Sequence, residues 1–386
     1  MSEPKCFVLF STADWGHKYL TNKQHVTMSL ADRGYRVMYV ESIGIRQPGI
    51  NAQDISRIFK RLIKGLLPVK KVRNNVWVYS PLTIPFKHHM KIVKKINNFI
   101  LSSVIKTAMF FLGFRDACVW TYHPLINDVL KNLRYSKLVY HSVDDLTAVP
   151  GIDKELIRRN EDILLGSADH VFVTSRNLEK MYSEKYPDKV HYFSNVADIE
   201  MFSKARSALK RPEDMPDGVN IMYIGVLTDF KLDFRLVYEI AIAKPDWNWI
   251  FIGEEREGQN NEYIKKMADM PNVYYLGYRP YTELPYYLKY ADVAVLPSLI
   301  NDYTVSMFPM KFFEYLAAGK PVVGTKLPAL KEFTHMYSAA EGSDEFVSMI
   351  SEIVDMKRDK TVDLKDIEMY SYNGRIEKML KILQNF

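Results

Sequence analysis

The stretch Ser298–Pro328, SLINDYTVSMFPMKFFEYLAAGKPVVGTKLP, holds the residues best placed to do chemistry. Pro309 suits the first position of a helix. A helix running from it aims free backbone N–H groups and the positive end of its dipole outward, a ready phosphate site. Lys311 falls in the first turn, and Glu314 follows three residues later on the same face. A cation beside phosphates and a carboxylate that accepts from ribose hydroxyls make a workable nucleotide arrangement. The same spacing also suits a solvated i,i+3 ion pair on a surface helix, and spacing alone does not choose between the two.

The elements that must position these residues are short β-rich runs alternating with helices. KCFVLFS reads as a buried strand, followed by the loop TADWGHKY and a helix near 20–33 that ends with Gly34 in the C′ position. YRVMYVES is the next strand, and others are expected at 76–79, 117–121, 137–142 and 170–174, with helices at 91–112, 124–133 and 153–167. This alternation indicates a parallel sheet with helices on both faces. Near 190–220 the pattern breaks into SKARSALKRPEDMPDG, which reads as an interdomain linker. A second α/β alternation follows, with strands VNIMYIG, WNWIFIG, NVYYLG, DVAVLPS and PVVGT and helices at 234–243, 260–268, 282–289, 309–318 and 344–356. An amphipathic helix carrying Ile367, Tyr370, Ile376, Met379, Leu380 and Leu383 closes the chain. The expected fold class is α/β, with two Rossmann-like domains facing each other across a cleft. Residues 1–200 form the first domain, 201–218 the linker and 219–365 the second domain, while the helix at 366–386 packs back on the first. Ligands of such sheets bind at the carboxyl ends of the strands.

Composition excludes several classes. With 47% apolar and 25% charged residues, the chain of 386 residues is that of a folded protein rather than a disordered one. Two cysteines, Cys6 and Cys118, cannot build a disulfide framework or a structural zinc site. No Cys/His cluster has metal spacing, and no D-x-D occurs. The N-terminus lacks a basic n-region and a cleavage site, so a cytoplasmic location is expected. No run of 18 uncharged apolar residues spans a bilayer. The net charge of +6 is uneven, with 30 Lys and Arg against 19 Asp and Glu in residues 1–205, and 22 against 27 in the rest. Residues 46–95 alone hold twelve Lys and Arg against one acid, Asp54. So local a field calls for an acidic partner, a nucleic acid or an anionic membrane face. Nucleic acid is not expected, because charge is its only signal.

PMKFFEYLAAGKPVVGT resembles the nucleotide-binding segment of GT-B glycosyltransferases, particularly the family 4-like bacterial enzymes of capsule, teichuronic acid and exopolysaccharide synthesis. IMYIGVLTDFKLDF, PDWNWIFIG and NVYYLGYRPYTELPYYLKYADVAVLPS resemble the same enzymes' donor domain. LVYHSVDDL, EDILLGSADHVFVTSRNL and FSNVADIEMF resemble their acceptor domain and hinge. The resemblance is close from 220 to 330 and looser before 120.

By that resemblance, Lys311 meets the diphosphate and Glu314 matches the second Glu of a Glu-x7-Glu pattern, whose first position is here Ser306. Pro309 belongs to the same segment. In the loop after the first donor strand, Val226 stands where many relatives have Arg. Lys231 falls at the Lys spacing after Gly225, whereas related enzymes carry an aromatic and an Asp there, which would make Asp233 the counterpart. Both readings stay open. Gly253 closes the second donor strand. Gly277, Tyr278 and Arg279 follow the strand whose end meets the nucleobase, although Tyr278 also suits surface packing. Asn301 and Thr304 are placed to touch the sugar.

A glycosyltransferase needs a carboxylate or His from the first domain as base. The candidates are His17 and Asp14, which share their loop with Gly16, together with His123 and the pair Asp144 and Asp145. Each also suits a buried or capping role, and Glu161 is read as structural. The implied activity is sugar transfer from a nucleotide sugar, UDP-linked by expectation, to a lipid-linked or polysaccharide acceptor. It would run without metal or other cofactor, peripherally at the inner face of the cell membrane. A non-hydrolysing sugar-nucleotide epimerase or a catalytically silent, partner-binding homologue are the alternatives. In the segment KHHMKIVKKINNFILSSVIKTAMFFLGF, Lys87, Lys91, Lys94 and Lys95 lie beside an apolar run. It suits either a basic amphipathic helix on an anionic leaflet or a core helix with a charged start.

Overall fold

The computed structural model describes residues 5–43, 69–81, 91–255, 259–355 and 361–384. The chain divides into two compact units. One comprises Met1–Thr174, Leu178–Phe193 and Ile376–Phe386, the other Ser175–Asn177 and Ser194–Arg375.

The first unit is built on strands β1 (Cys6–Phe10), β2 (Arg36–Val40), β3 (Val69–Arg73), β4 (Val76–Tyr79), β5 (Cys118–Thr121), β6 (Lys137–Ser142), β7 (His170–Val173) and β8 (Val190–Tyr192). Their order across the sheet is 3-4-2-1-5-6-7-8. β1, β5, β6 and β7 are buried at every position, as strands covered by helices on both faces must be. Pairing is parallel except between β3 and β4. β3 was not expected, because VKKVR reads as a charged loop. It is an exposed edge strand, and its lysines suit an edge that must not recruit another. Asn75, at a φ of +60°, makes the turn into β4.

Helix α1 (Asn22–Asp32) starts in a capping box between Thr21 and Gln24 and is followed by Gly34 at a φ of +86°. α2 spans Lys91–Phe111 and α3 Lys154–Ser167. The helix expected over 124–133 is instead a 3-10 turn, Pro124–Ile126, and one α-turn, Asn127–Leu130.

The second unit carries β9 (Val219–Ile224), β10 (Trp247–Ile252), β11 (Val273–Gly277), β12 (Val293–Leu296), β13 (Val322–Thr325) and β14 (Ser338–Ala340), in the order 11-10-9-12-13-14 and parallel throughout. Helices α4 (Phe234–Ala243), α5 (Leu284–Lys289), α6 (Lys311–Ala317) and α7 (Gly342–Val354) accompany it.

The last helix, α8, runs from Tyr372 to Gln384 and so begins six residues later than the expected 366. Ile367 and Tyr370 sit in turns that pack with the second unit's core, while Ile376, Met379, Leu380 and Leu383 join Phe7, Leu9 and Trp120 in the first unit. Buried Lys137 donates to the Leu383 carbonyl at 2.6 Å, a cation at a helix C-terminus. Residues 201–218, expected as a linker, belong to the second unit. Arg206 donates to the carbonyls of Leu316, Ala317 and Val362, satisfying the end of α6.

Three strands of the second sheet end on glycines whose backbones touch. The Gly225 N–H donates to the Ile252 carbonyl at 2.9 Å, and the Gly253 N–H to the Gly277 carbonyl at 2.8 Å. Gly253 has a φ of +147°, and a Cβ there would lie 1.9 Å from the Gly225 oxygen. Only glycine allows this approach. Gly253→Ala should therefore cost about 2–3 kcal/mol and lower the melting temperature by roughly 4–12 °C. Gly16→Ala, where an added Cβ meets nothing within 4 Å, should change it by less than about 2 °C, both read by calorimetry.

Candidate functional site

Helix α6 is fixed to the end of β9 by one side chain. Tyr315 is fully buried, and its hydroxyl accepts the Ile224 N–H at 2.8 Å, one residue before the glycine that ends the strand. The same helix carries the Lys311–Glu314 pair in its first turn.

Glu314 is 1% exposed, and the Lys311 Nζ stands 2.5 Å from its Oε2. Burial raises the Glu314 pKa, while the Lys311 charge and the Tyr281 hydroxyl pull it down. The ammonium lies 5.7 Å from the Tyr281 ring centre and 6.0 Å from that of Phe202, a partly aromatic surround that favours a cation. About a quarter of the Lys311 side chain remains exposed. The solvated surface pair is thus excluded, because the carboxylate is enclosed and only the cation reaches the surface. Helix α6 begins at Lys311 after Met310, so Pro309 lies ahead of the helix rather than at its first position, its carbonyl accepting the Phe312 N–H at 3.1 Å.

Other residues assigned to the donor side have local work. Ser306 is buried, and its hydroxyl accepts from the Asn177 amide at 2.7 Å. Asn301 caps the short helix Asp302–Val305 and donates to the Phe230 carbonyl at 2.9 Å. The Thr304 hydroxyl donates to the Leu299 carbonyl at 2.6 Å. These bonds fold the loop between β12 and α6 onto the loop after β9, instead of directing the two side chains outward to a sugar. In that second loop Asp233 caps α4 by accepting the Leu236 N–H, which explains its residue type without a ligand. The Lys231 Nζ lies over the Tyr303 ring at 5.0 Å. Arg279 donates to the Tyr287 hydroxyl at 2.7 Å and pairs with Asp214, tying the segment after β11 to residues before β9, while Tyr278 is half-buried beside it.

In the first unit, loop 11–19 leaves β1 and carries Asp14, Gly16 and His17. Its anchor is a residue the sequence reading missed. Glu41, buried at the end of β2, accepts the Trp15 N–H at 2.9 Å and the Ser80 hydroxyl at 2.5 Å. An acid directly after the apolar run VMYV was the available signal. His17 is exposed, with its Nδ1 3.0 Å from the Tyr19 carbonyl oxygen. Asp14 is half-buried in the same loop, and its carbonyl accepts the His17 N–H.

His123 is buried, and its Nδ1 accepts the Leu125 N–H at 3.1 Å. Burial lowers its pKa to about 4. At neutral pH it is an uncharged imidazole with its proton on Nε2 and its one lone pair already engaged. It can donate a hydrogen bond but cannot take up a proton there. The Asp145 carboxylate accepts both the N–H and the hydroxyl of Thr147, at 2.8 and 2.7 Å, while Asp144 beside it is half-buried. Glu161 is enclosed and accepts from the hydroxyls of Tyr140 and Tyr182 at 2.5 and 2.8 Å. Among the described residues no three His, Cys, Asp or Glu side chains converge as metal ligands would.

Comparisons with known proteins identify the fold and the second unit's family match. The model of the family described as glycosyl transferases group 1 matches residues 219–356, the unit that holds Lys311 and Glu314. A Bacillus subtilis (strain 168) protein assigned to teichuronic acid biosynthesis as the glycosyltransferase TuaH is 26% identical, over 92% of this chain and 90% of its own. Sucrose-phosphate synthase from Thermosynechococcus elongatus has the same fold, with a TM-score of 0.70, 16% identity and 98% of each chain covered. So has Anabaena HepE, solved in complex with UDP, with a TM-score of 0.66, 15% identity and coverage of 99% of this chain and 100% of that one. Family match, full-length relative and shared architecture lead to one assignment: this chain is a glycosyltransferase of the GT-B fold, whose residues 219–356 match the group 1 glycosyl transferase family.

Proposed function

We propose that this enzyme transfers a sugar from a UDP-sugar to a lipid-linked or polysaccharide acceptor in cell-surface glycan synthesis, without a divalent metal, at the inner face of a bacterial membrane. The enclosed Glu314 with its partly exposed Lys311 partner carries the donor half of this reading. The ammonium has three N–H donors. One meets Glu314, and the face left at the surface opposes the charge that builds on a leaving diphosphate. Glu314, enclosed, holds that ammonium in place rather than meeting the ligand itself. The absence of D-x-D from the sequence supports leaving-group stabilisation by Lys311 rather than by a metal clamp. The UDP in the HepE complex supports the carrier, and the TuaH relative supports the acceptor class.

In the first unit His123, enclosed and neutral, is not the base. The acceptor proton falls to one of Asp14, His17, Asp144 and Asp145 in the first unit.

A thermal-shift series with UDP, GDP, CDP, dTDP and ADP tests the donor class. UDP at 100 times its dissociation constant should stabilise the protein by about 2.7 kcal/mol, and the others far less. Silence from all five would reject the reading.

Lys311→Ala separates charge from fold. Burial already holds the folded pKa of Glu314 above the unfolded value near 4.5, and without the ammonium it rises further. Stability then persists below pH 4.5 and is lost as pH climbs through the raised value. The variant should be close to the parent at pH 5 and clearly weaker at pH 8. Lys311→Ala with Glu314→Gln should regain stability at pH 8 yet bind UDP at least about tenfold more weakly. Unchanged UDP affinity in the double variant would remove Lys311 from the site.

A further inference from the structure

Helix α2 has two apolar faces. Leu101, Ile105 and Met109 are buried in the core of the first unit. At about 100° per residue, Ile92, Ile96, Phe99, Ile100, Phe110 and Phe111 fall on the opposite side and stay exposed, Phe99 at 71%, Phe110 at 80% and Phe111 at 79%. A surface helix ordinarily turns a polar face outward. Here apolar side chains stand at both ends of the outer face of a helix of 21 residues, about 30 Å long, with Ser103 and Thr107 between them.

Along the sequence, the charge flanking the helix is almost all of one sign. Between Glu41 and Asp116 the chain has fourteen Lys and Arg and one acid, Asp54. Lys95 and Lys106 are exposed along one flank of the stripe. At the Phe110–Phe111 end, Arg36 donates to the Leu112 carbonyl and its guanidinium lies over the Phe114 ring at 5.0 Å. Trp77 packs edge-on against Phe114, and exposed Lys71 lies over Trp77 at 5.5 Å. The basic β3–β4 hairpin therefore borders that end. Lys94 is committed elsewhere, in a 3.2 Å pair with Asp128. Lys87 and the Lys91 side chain lie outside the described residues.

We infer that the outer face of α2 is an in-plane anchor for an anionic lipid bilayer, with Phe99, Phe110 and Phe111 entering the acyl boundary and Lys95, Lys106 and Lys71 meeting the headgroups. An apolar stripe within a cationic border is matched by a surface that is apolar below and anionic above. A second copy of the chain, docked face to face, would set cation against cation around the same stripe. Among the described residues no helix is long and apolar enough to cross a membrane, so α2 lies along the interface. This inference rests on the reading that the acceptor is carried at the inner leaflet. It changes the expected contact from lysines alone to an aromatic stripe that lysines border.

Sedimentation of the full chain with phosphatidylcholine vesicles, with and without about a third phosphatidylglycerol, tests it. The parent should bind the anionic vesicles only, and less at high salt. Phe99→Ser, Phe110→Ser and Phe111→Ser together should weaken binding at least about tenfold, as should Lys95→Glu with Lys106→Glu. Both variants should keep the parent's melting temperature and UDP shift. Phe110→Trp should gain fluorescence that brominated lipid quenches. The inference is overturned if the parent ignores anionic vesicles, if the serine variant binds as the parent does, or if the stripe instead holds a dimer that the serine variant dissolves. Lost vesicle binding with an intact UDP response would reject the anchor and leave the donor reading standing. The reverse would reject the donor reading alone.

Discussion

A carboxylate with almost none of its surface exposed must be answered by a cation or give up its charge. In this glycosyltransferase the answer to Glu314 is Lys311, and much of the second unit serves to keep the two together. Their spacing of three residues puts them on one face of α6, and Tyr315, the next residue along, bonds that helix to the end of β9. Arg206 closes the far end of the same helix by taking up its last carbonyls. The helix has only seven residues, too few for stability by propensity alone. Its position comes from these side-chain bonds and from Phe312, Phe313 and Leu316 in the core.

The glycine contacts work in the same direction. A Cβ at residue 253 would strike the Gly225 carbonyl, so the loops after β9 and β10 run closer together than side chains permit. Asn301, Thr304 and Asp233 extend this with bonds in the loops after β9 and β12. Residues that could have been ligands instead hold in place those that remain.

What could be read in advance followed the range of the interaction. The two parallel sheets, the helix–strand alternation and the Lys311–Glu314 pair depend on residues a few positions apart, and the sequence displays them directly. The solvated alternative for that pair was open because burial is decided by Phe202 and Tyr281, far along the chain. Glu41 went unread for the same reason, since its partners stand 26 and 39 residues away. Arg206 lay in what looked like a linker because its carbonyl partners are more than a hundred residues distant. β3 and β14 were missed for another reason, since VKKVR and SAA carry too little apolar character to announce a strand. His123 shows the limit most clearly. The residue was named, but its tautomer depends on a capping bond to Leu125, and its neutrality on burial. Together they make it a donor of hydrogen bonds rather than a base.

The charge distribution gives Lys311 a further meaning. Residues 206–386 carry more acids than bases, 27 against 22, yet they include the domain that should bind a diphosphate. At physiological ionic strength fields decay over about 8 Å, so the net charge of that half neither helps nor prevents binding at close range. What decides is the local ion, and an ammonium fixed by a buried carboxylate and two aromatic rings loses little freedom when a phosphate arrives. The basic excess of the first half lies mostly in residues 46–95, a different part of the chain from Lys311. On the proposed reading the two halves use positive charge for different anions: one fixed lysine for a small ligand met at contact distance, and the exposed lysines beside the α2 stripe for a surface met over many ångströms.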